Sequence, residues 1–517
     1  MDGLGQQGKE AGDAATARDP RRWWILVVLC LSTLVLVVDN MVLTVAVPPI
    51  AQDIEATASD IQWILDSYML VFAGLLLTSG SLSDRFGRRK VMIIGLVLFG
   101  GASLLATVAT NPEQLIAGRI LMGIGGALIM PSTLSILITV FDEQERPKAI
   151  AAWSAVAMVG LVGGPVLGGA LLQHFWWGSV FLINVPIAVV AILAALALMP
   201  ESKGPWRKAD PLGMVLSMTG MAALVWTITE WPKDGFGDPK VYVAAIVAVV
   251  CLVGFGLWET RIEEPMIPLM LFRNRVFTGA SFSIVLLTFA NGGLMLVLTQ
   301  YLQFVLHYSP TKTGWAFAPL AVAALVFNTL GATLGQKFGN RFMVATGLVI
   351  IASGFFTLTT LEVGDGFGVV AVAMVLMGAG GGLAMPAAQA ALMGAVPTEH
   401  AGVGSALNDT VQQAGAALGV AVLGSILSST YSRSMPDSAS DTADNSIVDA
   451  LAEAARTGNE ALASAARDAF GDAMSASFVV GASGVLVAAA LSLFLMRPRP
   501  ADEVPAEDQP KEPTPVA

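Results

Sequence analysis

Residues 121–131 read LMGIGGALIMP and residues 376–386 read LMGAGGGLAMP, identical at eight of eleven positions and 255 residues apart. The surroundings repeat in the same order. SLSDRFGRRK at 81–90 returns as TLGQKFGNRF at 333–342, and Gly160 and Gly164 return as Gly415 and Gly419. Three echoes in one order mark a duplicated unit. No strand precedes the glycine strings, and they lie inside apolar runs. They read as helix faces where small residues let backbones approach, not as phosphate-cradling loops.

The composition says what surrounds those helices. Of 517 residues, 55% are hydrophobic and only 13% charged, and the mean hydropathy is +0.70. Soluble domains carry roughly 25% charged residues. Long apolar runs alternate with short polar joints, the pattern of an all-α polytopic membrane protein rather than a β-barrel. Cys30 and Cys251 sit within apolar runs as small hydrophobes, so no disulfide framework is expected. His174, His307 and His400 are scattered over polar joints and make no metal site. Much of the net charge of −11 falls in residues 428–474, with eight acids against three bases, and in 497–517, with five against three. Such runs are solvated and identify no nucleic-acid partner.

A hydropathy window of roughly 19 residues predicts fourteen spans, near 23–47, 61–81, 91–110, 113–138, 149–172, 177–198, 211–229 and 241–259, then near 277–300, 313–335, 342–361, 367–391, 403–427 and 475–496. The first run follows Arg21 and Arg22, is too long for a signal peptide and has no small-residue cleavage site after it. With the N-terminus inside, the inner joints hold 21 of the 28 lysines and arginines and the outer joints six, with Arg119 inside a span. Both termini are therefore expected on the cytoplasmic side.

The expected organisation is a cytoplasmic arm at 1–22 and a six-helix bundle at 23–198. A linker at 199–276 carries two inserted helices. A second six-helix bundle follows at 277–496, with an external loop at 428–474 and a disordered tail at 497–517. Two such halves with a site between them at mid-depth form a secondary-transporter architecture.

Residues 80–90 join spans two and three on the inner face, with a glycine near either end, an acid and several bases. A positive-inside anchor requires only the bases. This stretch resembles the loop signature of the major facilitator superfamily at every characteristic position. The resemblance assigns a conformational latch to Gly80, Asp84, Arg85, Gly87, Arg88 and Arg89. The second copy keeps Gly339 and Arg341 but has Gln336 in place of the acid. Residues 115–123, LIAGRILMG, resemble the fourth-helix signature, whose arginine, here Arg119, is linked to proton coupling. Residues 160–169, GLVGGPVLGG, resemble the fifth-helix signature of antiporters, carried by Gly160, Gly164, Pro165, Gly168 and Gly169. Physically, Pro165 removes a helix hydrogen bond and the glycines thin one face. The second half has Val420 in place of the proline. The fourteen spans, DNMVLTVAVP at 39–48 and QWILDSY at 62–68 are similar to the drug:proton antiporter branch, which includes exporters of quaternary ammonium compounds and dyes.

Four ionisable residues fall within spans: Asp39, Asp66, Arg119 and Asp409. A charge near the bilayer centre costs at least about 2.5–3.5 kcal/mol, so each requires a partner or a task. At about 1.5 Å per residue, Asp39 lies roughly 22 Å along the helix from Trp24, at a depth where it can meet Arg119. Pairing favours an ionised carboxylate and desolvation a protonated one, which suits a group that exchanges a proton. Asp39 and Arg119 are the expected coupling pair. Asp66 and Asp409 are expected substrate-cation or second proton sites. Trp63, Tyr68, Met41 and Phe289 are candidate apolar walls, and Asn291, Asn328 and Gln300 are candidate polar ones.

The resulting expectation is a proton-driven exporter of hydrophobic, cationic drugs across the cytoplasmic membrane. It is expected to work as a monomer, with no cofactor, metal or enzymatic activity. Export of an endogenous small molecule, or import of a nutrient on the same fold, are the alternatives.

Overall fold

The computed structural model describes residues 20–204, 210–234, 238–262, 265, 269–361, 366–436, 440, 443–444 and 446–496. Most of the expected arm, the whole tail and parts of the linker therefore lie outside the described residues. No strand occurs among those described. The N-terminal half contains α1 (Arg22–Asp53), α2 (Ala58–Phe86), α3 (Arg88–Thr107), α4 (Pro112–Val140), α5 (Arg146–His174) and α6 (Asn184–Leu198). The inserted pair is α7 (Pro211–Asp234) and α8 (Pro239–Glu259). The C-terminal half contains α9 (Arg275–Gln300), α10 (Ala318–Phe338), α11 (Asn340–Leu358), α12 (Phe367–Gly394), α13 (Ala401–Ser434) and α14 (Glu460–Leu495). Thirteen helical segments among the described residues are long and apolar enough to cross a membrane; α5, at 29 residues, is a further long helix.

The recurrent glycines explain the repeat. A Cβ on Gly125 would stand 2.8 Å from the Phe99 backbone nitrogen of α3, and one on Gly123 would stand 2.8 Å from the Tyr68 carbonyl oxygen of α2. A Cβ on the counterparts Gly380 and Gly378 would fall closer still, to the Gly347 carbonyl of α11 and the Leu320 carbonyl of α10. Both copies of LMGxGG thus give one helix two close crossings, which no larger residue permits without moving backbone. The pairings α3–α4, α2–α4 and α1–α5 recur as α11–α12, α10–α12 and α9–α13.

Turn chemistry divides the helices where the repeat does. Gly87 at φ +113° separates α2 from α3, and Gly339 at φ +88° separates α10 from α11, backbone conformations that disfavour other residues. At the start of α2, Thr57 and Asp60 form a reciprocal capping box. Asn111 caps α4 with Pro112 at its first position.

Three boundaries differ from the hydropathy reading. A short helix, Ser179–Leu182, precedes α6, and another, Pro310–Ala316, precedes α10. α14 starts at Glu460 rather than near 475, and a further helix spans Ile447–Thr457. The end of the expected external loop, residues 460–474, is therefore the polar first part of the last helix. A hydropathy window registers only the apolar remainder.

The inserted pair packs through α7, which lies against α2 and α13, whereas α8 lies chiefly against α7. Tyr242, Val243, Ile246, Val249, Val250, Val253 and Leu257 of α8 are exposed, an apolar surface suited to lipid.

Candidate functional site

Asp39 and Arg119 meet inside the N-terminal half. Arg119 Nη1 donates to Asp39 Oδ2 at 2.5 Å, with both side chains about 1% exposed. The other carboxylate oxygen, Oδ1, accepts from Asn184 Nδ2 of α6 at 2.7 Å, and the same amide lies 3.3 Å from Ser103 Oγ of α3. Arg119 Nε donates to the Ile64 carbonyl at 3.1 Å. Its guanidinium lies 4.2 Å from the centre of the Tyr68 ring, which stacks on Phe72. Five helices thus enclose one ion pair. Both carboxylate oxygens are hydrogen-bonded, as a buried charge requires. Tyr68, expected as a cavity wall, instead packs over the arginine.

A central cavity of about 220 Å³ lies between the halves. Its N-terminal wall is Thr33 and Val37 of α1, Met130 of α4, and Trp153 and Ser154 of α5. The C-terminal half supplies most of the rest, including Thr288, Asn291, Asn328, Gln389 and Gln412, with Met377 and Met385. No ionisable side chain lines it among the described residues. Asn291 and Asn328 reach it as expected; Trp63, Met41, Phe289 and Gln300 do not. Ser154 Oγ donates to Gln389 Oε1 at 2.6 Å across the interface of the halves, and Trp153 Nε1 donates to Thr33 Oγ1 at 2.9 Å.

Helix α1 belongs to both places. Thr33 and Val37, one turn apart, face the cavity. Asp39, two residues past Val37, lies roughly 200° further round the helix and faces the bundle interior. The glycines of α5 grip the same stretch of α1. Gly160 lies against Val37, Gly164 against Met41 and Gly168 against Val42, each too close for a Cβ without displacement. Pro165 and Gly169 lie in the same run of α5.

At one end of the molecule the residues of the 80–90 loop tie the halves together. Asp84 accepts from the backbone N–H groups of Gly402 at 3.0 Å and Val403 at 3.1 Å, at the N-terminus of α13. A carboxylate there is favoured by the helix dipole. Arg88 donates to Asp84 Oδ1 at 2.7 Å and to the Thr398 carbonyl at 3.0 Å. Gly80 crosses α13 so closely that a Cβ would fall 2.5 Å from Ala406 Cβ. Arg89 instead binds within its own half, to the Met199 carbonyl at 2.7 Å, and Arg85 lies over the Phe86 ring at 5.1 Å. The side chain of Gln336, in the second copy, lies outside the described residues.

Asp409 is buried in α13, where Oδ1 accepts from Asn408 Nδ2 at 3.0 Å. Neither Asp409 nor Asp66 lines the central cavity. Asp66 lines a second cavity, with Trp226 of α7. Sequence reasoning missed Asn184, Gln389, Gln412 and Ser154. An isolated amide in an apolar run, as in MPAAQAALMG at 385–394, was the available signal for Gln389.

The family model of the Major Facilitator Superfamily matches residues 29–420 and again 280–517. The chain belongs to that superfamily. As a member it is a multi-pass membrane transporter rather than an enzyme. Among its relatives, the multidrug efflux pump LfrA of Mycolicibacterium smegmatis is 35% identical over 496 residues, covering 93% of this chain and 97% of the relative. The tetracenomycin C resistance and export protein of Streptomyces glaucescens is 31% identical over 505 residues, covering 94% of each. A bacterial homolog of the human lysosomal transporter Spinster, solved inward-facing and unoccupied, has the same fold. Its TM-score is 0.57 at 20% identity, over 93% of this chain and 99% of that one.

Proposed function

We propose that this transporter exports hydrophobic drugs or toxic compounds across the cytoplasmic membrane in exchange for protons. The observation that carries the proposal is the Asp39–Arg119 pair on the far side of the helix that walls the central cavity. A proton reaching Asp39 removes the charge that holds Arg119, so α1 is free to shift against the α5 glycines. The same shift alters the cavity wall at Thr33 and Val37. Proton and drug then compete through one helix without touching. The relatives named for resistance and export support the direction of transport.

The 80–90 loop is proposed to face the cytoplasm, where Asp84 and Arg88 hold that end shut and release it when the halves rock. Asp409, buried beside Asn408, is proposed as a second proton site. The central cavity itself, lined by amides, hydroxyls and methionines, suits uncharged aromatic compounds bearing hydrogen-bonding groups. One chain holds both halves and the cavity, so a monomer is the proposed working unit and the proton gradient its energy source.

The test uses inverted membrane vesicles energised to an acid interior. Adding a neutral aromatic drug is expected to dissipate the pH gradient with the wild-type protein and not with Asp39→Asn. Undiminished dissipation by Asp39→Asn contradicts the proposal.

A further inference from the structure

The turn before the third helix of each half differs between the copies in what its bases meet. In the first copy Arg88 pairs with Asp84 at 2.7 Å. Glu201, just past α6, lies 3.8 Å from Arg89 Nε and accepts from the backbone N–H groups of Arg89 and Lys90. In the second copy Gln336 stands for Asp84 and Asn340 for Arg88, while Lys337 and Arg341 remain as bases. The acid after α6 is lost as well. Met199, Pro200 and Glu201 follow α6, whereas Met496, Arg497 and Pro498 follow α14, the helix that packs on α11 as α6 packs on α3. Among the described residues no carboxylate pairs with Lys337 or Arg341.

The surface around these two cations is apolar and faces outward. Val326 and Leu330 of α10 are exposed, and Lys337, seven residues past Leu330, continues their line to the end of the helix. On α11, Phe342, Val349 and Phe356 recur every seven residues and are all exposed. Two stripes suited to lipid thus end together at Lys337 and Phe342, on either side of Gly339. Phe338 and Phe342 are 54% and 51% exposed. Lys337 Nζ lies 5.5 Å from the centre of the first ring, and the Arg341 guanidinium 4.9 Å from that of the second. Arg341 Nε is buried and makes no hydrogen bond. The turn lies at the Asp84 end of the molecule. α10 runs alongside α12 in the same direction, with Gly378 against Leu320 and Gly382 against Ala324, and α12 leads to the Thr398 carbonyl that Arg88 binds.

A lysine and an arginine without acids, at the foot of a lipid-facing surface, match the phosphate of a lipid headgroup whose acyl chains lie along the stripes. We infer that the α10–α11 turn is a binding site for an anionic phospholipid of the leaflet at that end. Lys337 and Arg341 hold its headgroup, and Phe338 and Phe342 pack on the upper part of its chains. A choline headgroup carries its own cation and gains less. The lipid supplies the negative charge that Asp84 and Glu201 supply in the first copy. One copy is thereby latched to the opposite half, and the other is tied to the bilayer. Binding of this lipid requires neither the proposed direction of transport nor its coupling to protons.

The test is lipid binding to the purified full-length protein in mixed micelles at fixed ionic strength. Phosphatidylglycerol is the anionic probe and phosphatidylcholine the neutral one, each with the same fluorescent acyl chain and at substoichiometric amounts. Wild type is expected to prefer phosphatidylglycerol. Lys337→Gln and Arg341→Gln should each weaken phosphatidylglycerol about fivefold and phosphatidylcholine less than about twofold. Lys337→Arg keeps the charge and should keep the preference. Arg89→Gln removes a base already paired with Glu201 and should change either lipid by less than about twofold. Equal binding of the two lipids by wild type overturns the inference, as does undiminished phosphatidylglycerol binding when Lys337→Gln and Arg341→Gln are combined. Equal weakening of both lipids by these substitutions also overturns it, because the bases then serve the fold. So does a loss in Arg89→Gln as large as in Arg341→Gln, since any base at that end then suffices. A preference gained only after Asp502, Glu503, Glu507 and Asp508 are neutralised overturns it too, because the acidic tail then covers the bases.

Discussion

The two halves share a scaffold and differ in what they carry. In the first, α4 places Arg119 against Asp39; in the second, the counterpart of Arg119 at the 255-residue offset is Met374, fully buried. The first half has Asp84 on the N-terminus of α13, where the second has Gln336. Conversely, the second half supplies most of the central cavity, with Asn291, Asn328, Gln389 and Gln412. Duplication produced two similar bundles that differ in their polar residues. The first half holds the buried ion pair, and the second holds most of the neutral hydrogen-bonding groups at the interface, with Asp409 as its own buried acid.

The largest effect should follow from making the first half resemble the second at one position. Arg119→Met leaves Asp39 buried without its cation, a change of about 3–5 kcal/mol, read as a lowered unfolding temperature in detergent. Adding Asp39→Leu should restore most of that stability while leaving transport uncoupled from the pH gradient. If the double variant is no more stable than the single one, the pair is not the reason the arginine is buried.

Next in size is a test of the shared scaffold. Gly125→Val and Gly380→Val should each destabilise by about 1–3 kcal/mol through overpacking, to similar extents, because both place a side chain against the backbone of the neighbouring helix. A large effect in one half only, read by thermal unfolding, breaks the equivalence of the two crossings.

Asp84→Asn keeps one acceptor oxygen for α13 and loses the other charge-assisted hydrogen bond, worth about 1.5–3 kcal/mol. It should shift the halves toward opening at that end. Spin labels on the ends of α2 and α13 would read the shift as a longer distance population. Gln336→Ala, its counterpart in the repeat, is expected to leave that distribution unchanged.

The smallest effect belongs to the cavity. Gln389→Ala removes one hydrogen bond at the interface and should raise the KM for a neutral drug roughly fivefold, about 1 kcal/mol. The proton-to-drug ratio should stay at the wild-type value. A changed ratio places Gln389 in the coupling machinery and blurs the division between the halves.

Much of this division was legible before the fold was known. A charge in an apolar run is rare and expensive, so Asp39, Arg119, Asp66 and Asp409 stood out, and helical rise gave depths that allowed Asp39 and Arg119 to meet. The repeated glycines marked the crossings. The cavity walls were less legible because a membrane helix is apolar all round: nothing in the pattern distinguishes a face toward lipid from one toward a cavity. Tyr68 therefore read as a wall and proved to cover Arg119. Asn184 stands in the apolar run FLINVPIAVV at 181–190, and an isolated amide there does not name Asp39 as its partner. The packing of the inserted pair could not be read at all, since nothing in the sequence of α7 marks α2 and α13 as its neighbours.

The central claim is that the proton resides on α1 in the first half while the drug is held mainly by the second. Its most direct test is the proton release that a neutral aromatic drug induces from purified protein in weakly buffered detergent solution. At saturating drug, wild type and Gln389→Ala should release the same number of protons, with Gln389→Ala needing more drug to reach it. Asp39→Asn should bind the drug and release fewer protons. Undiminished release from Asp39→Asn, or release lost in Gln389→Ala at saturation, contradicts the account.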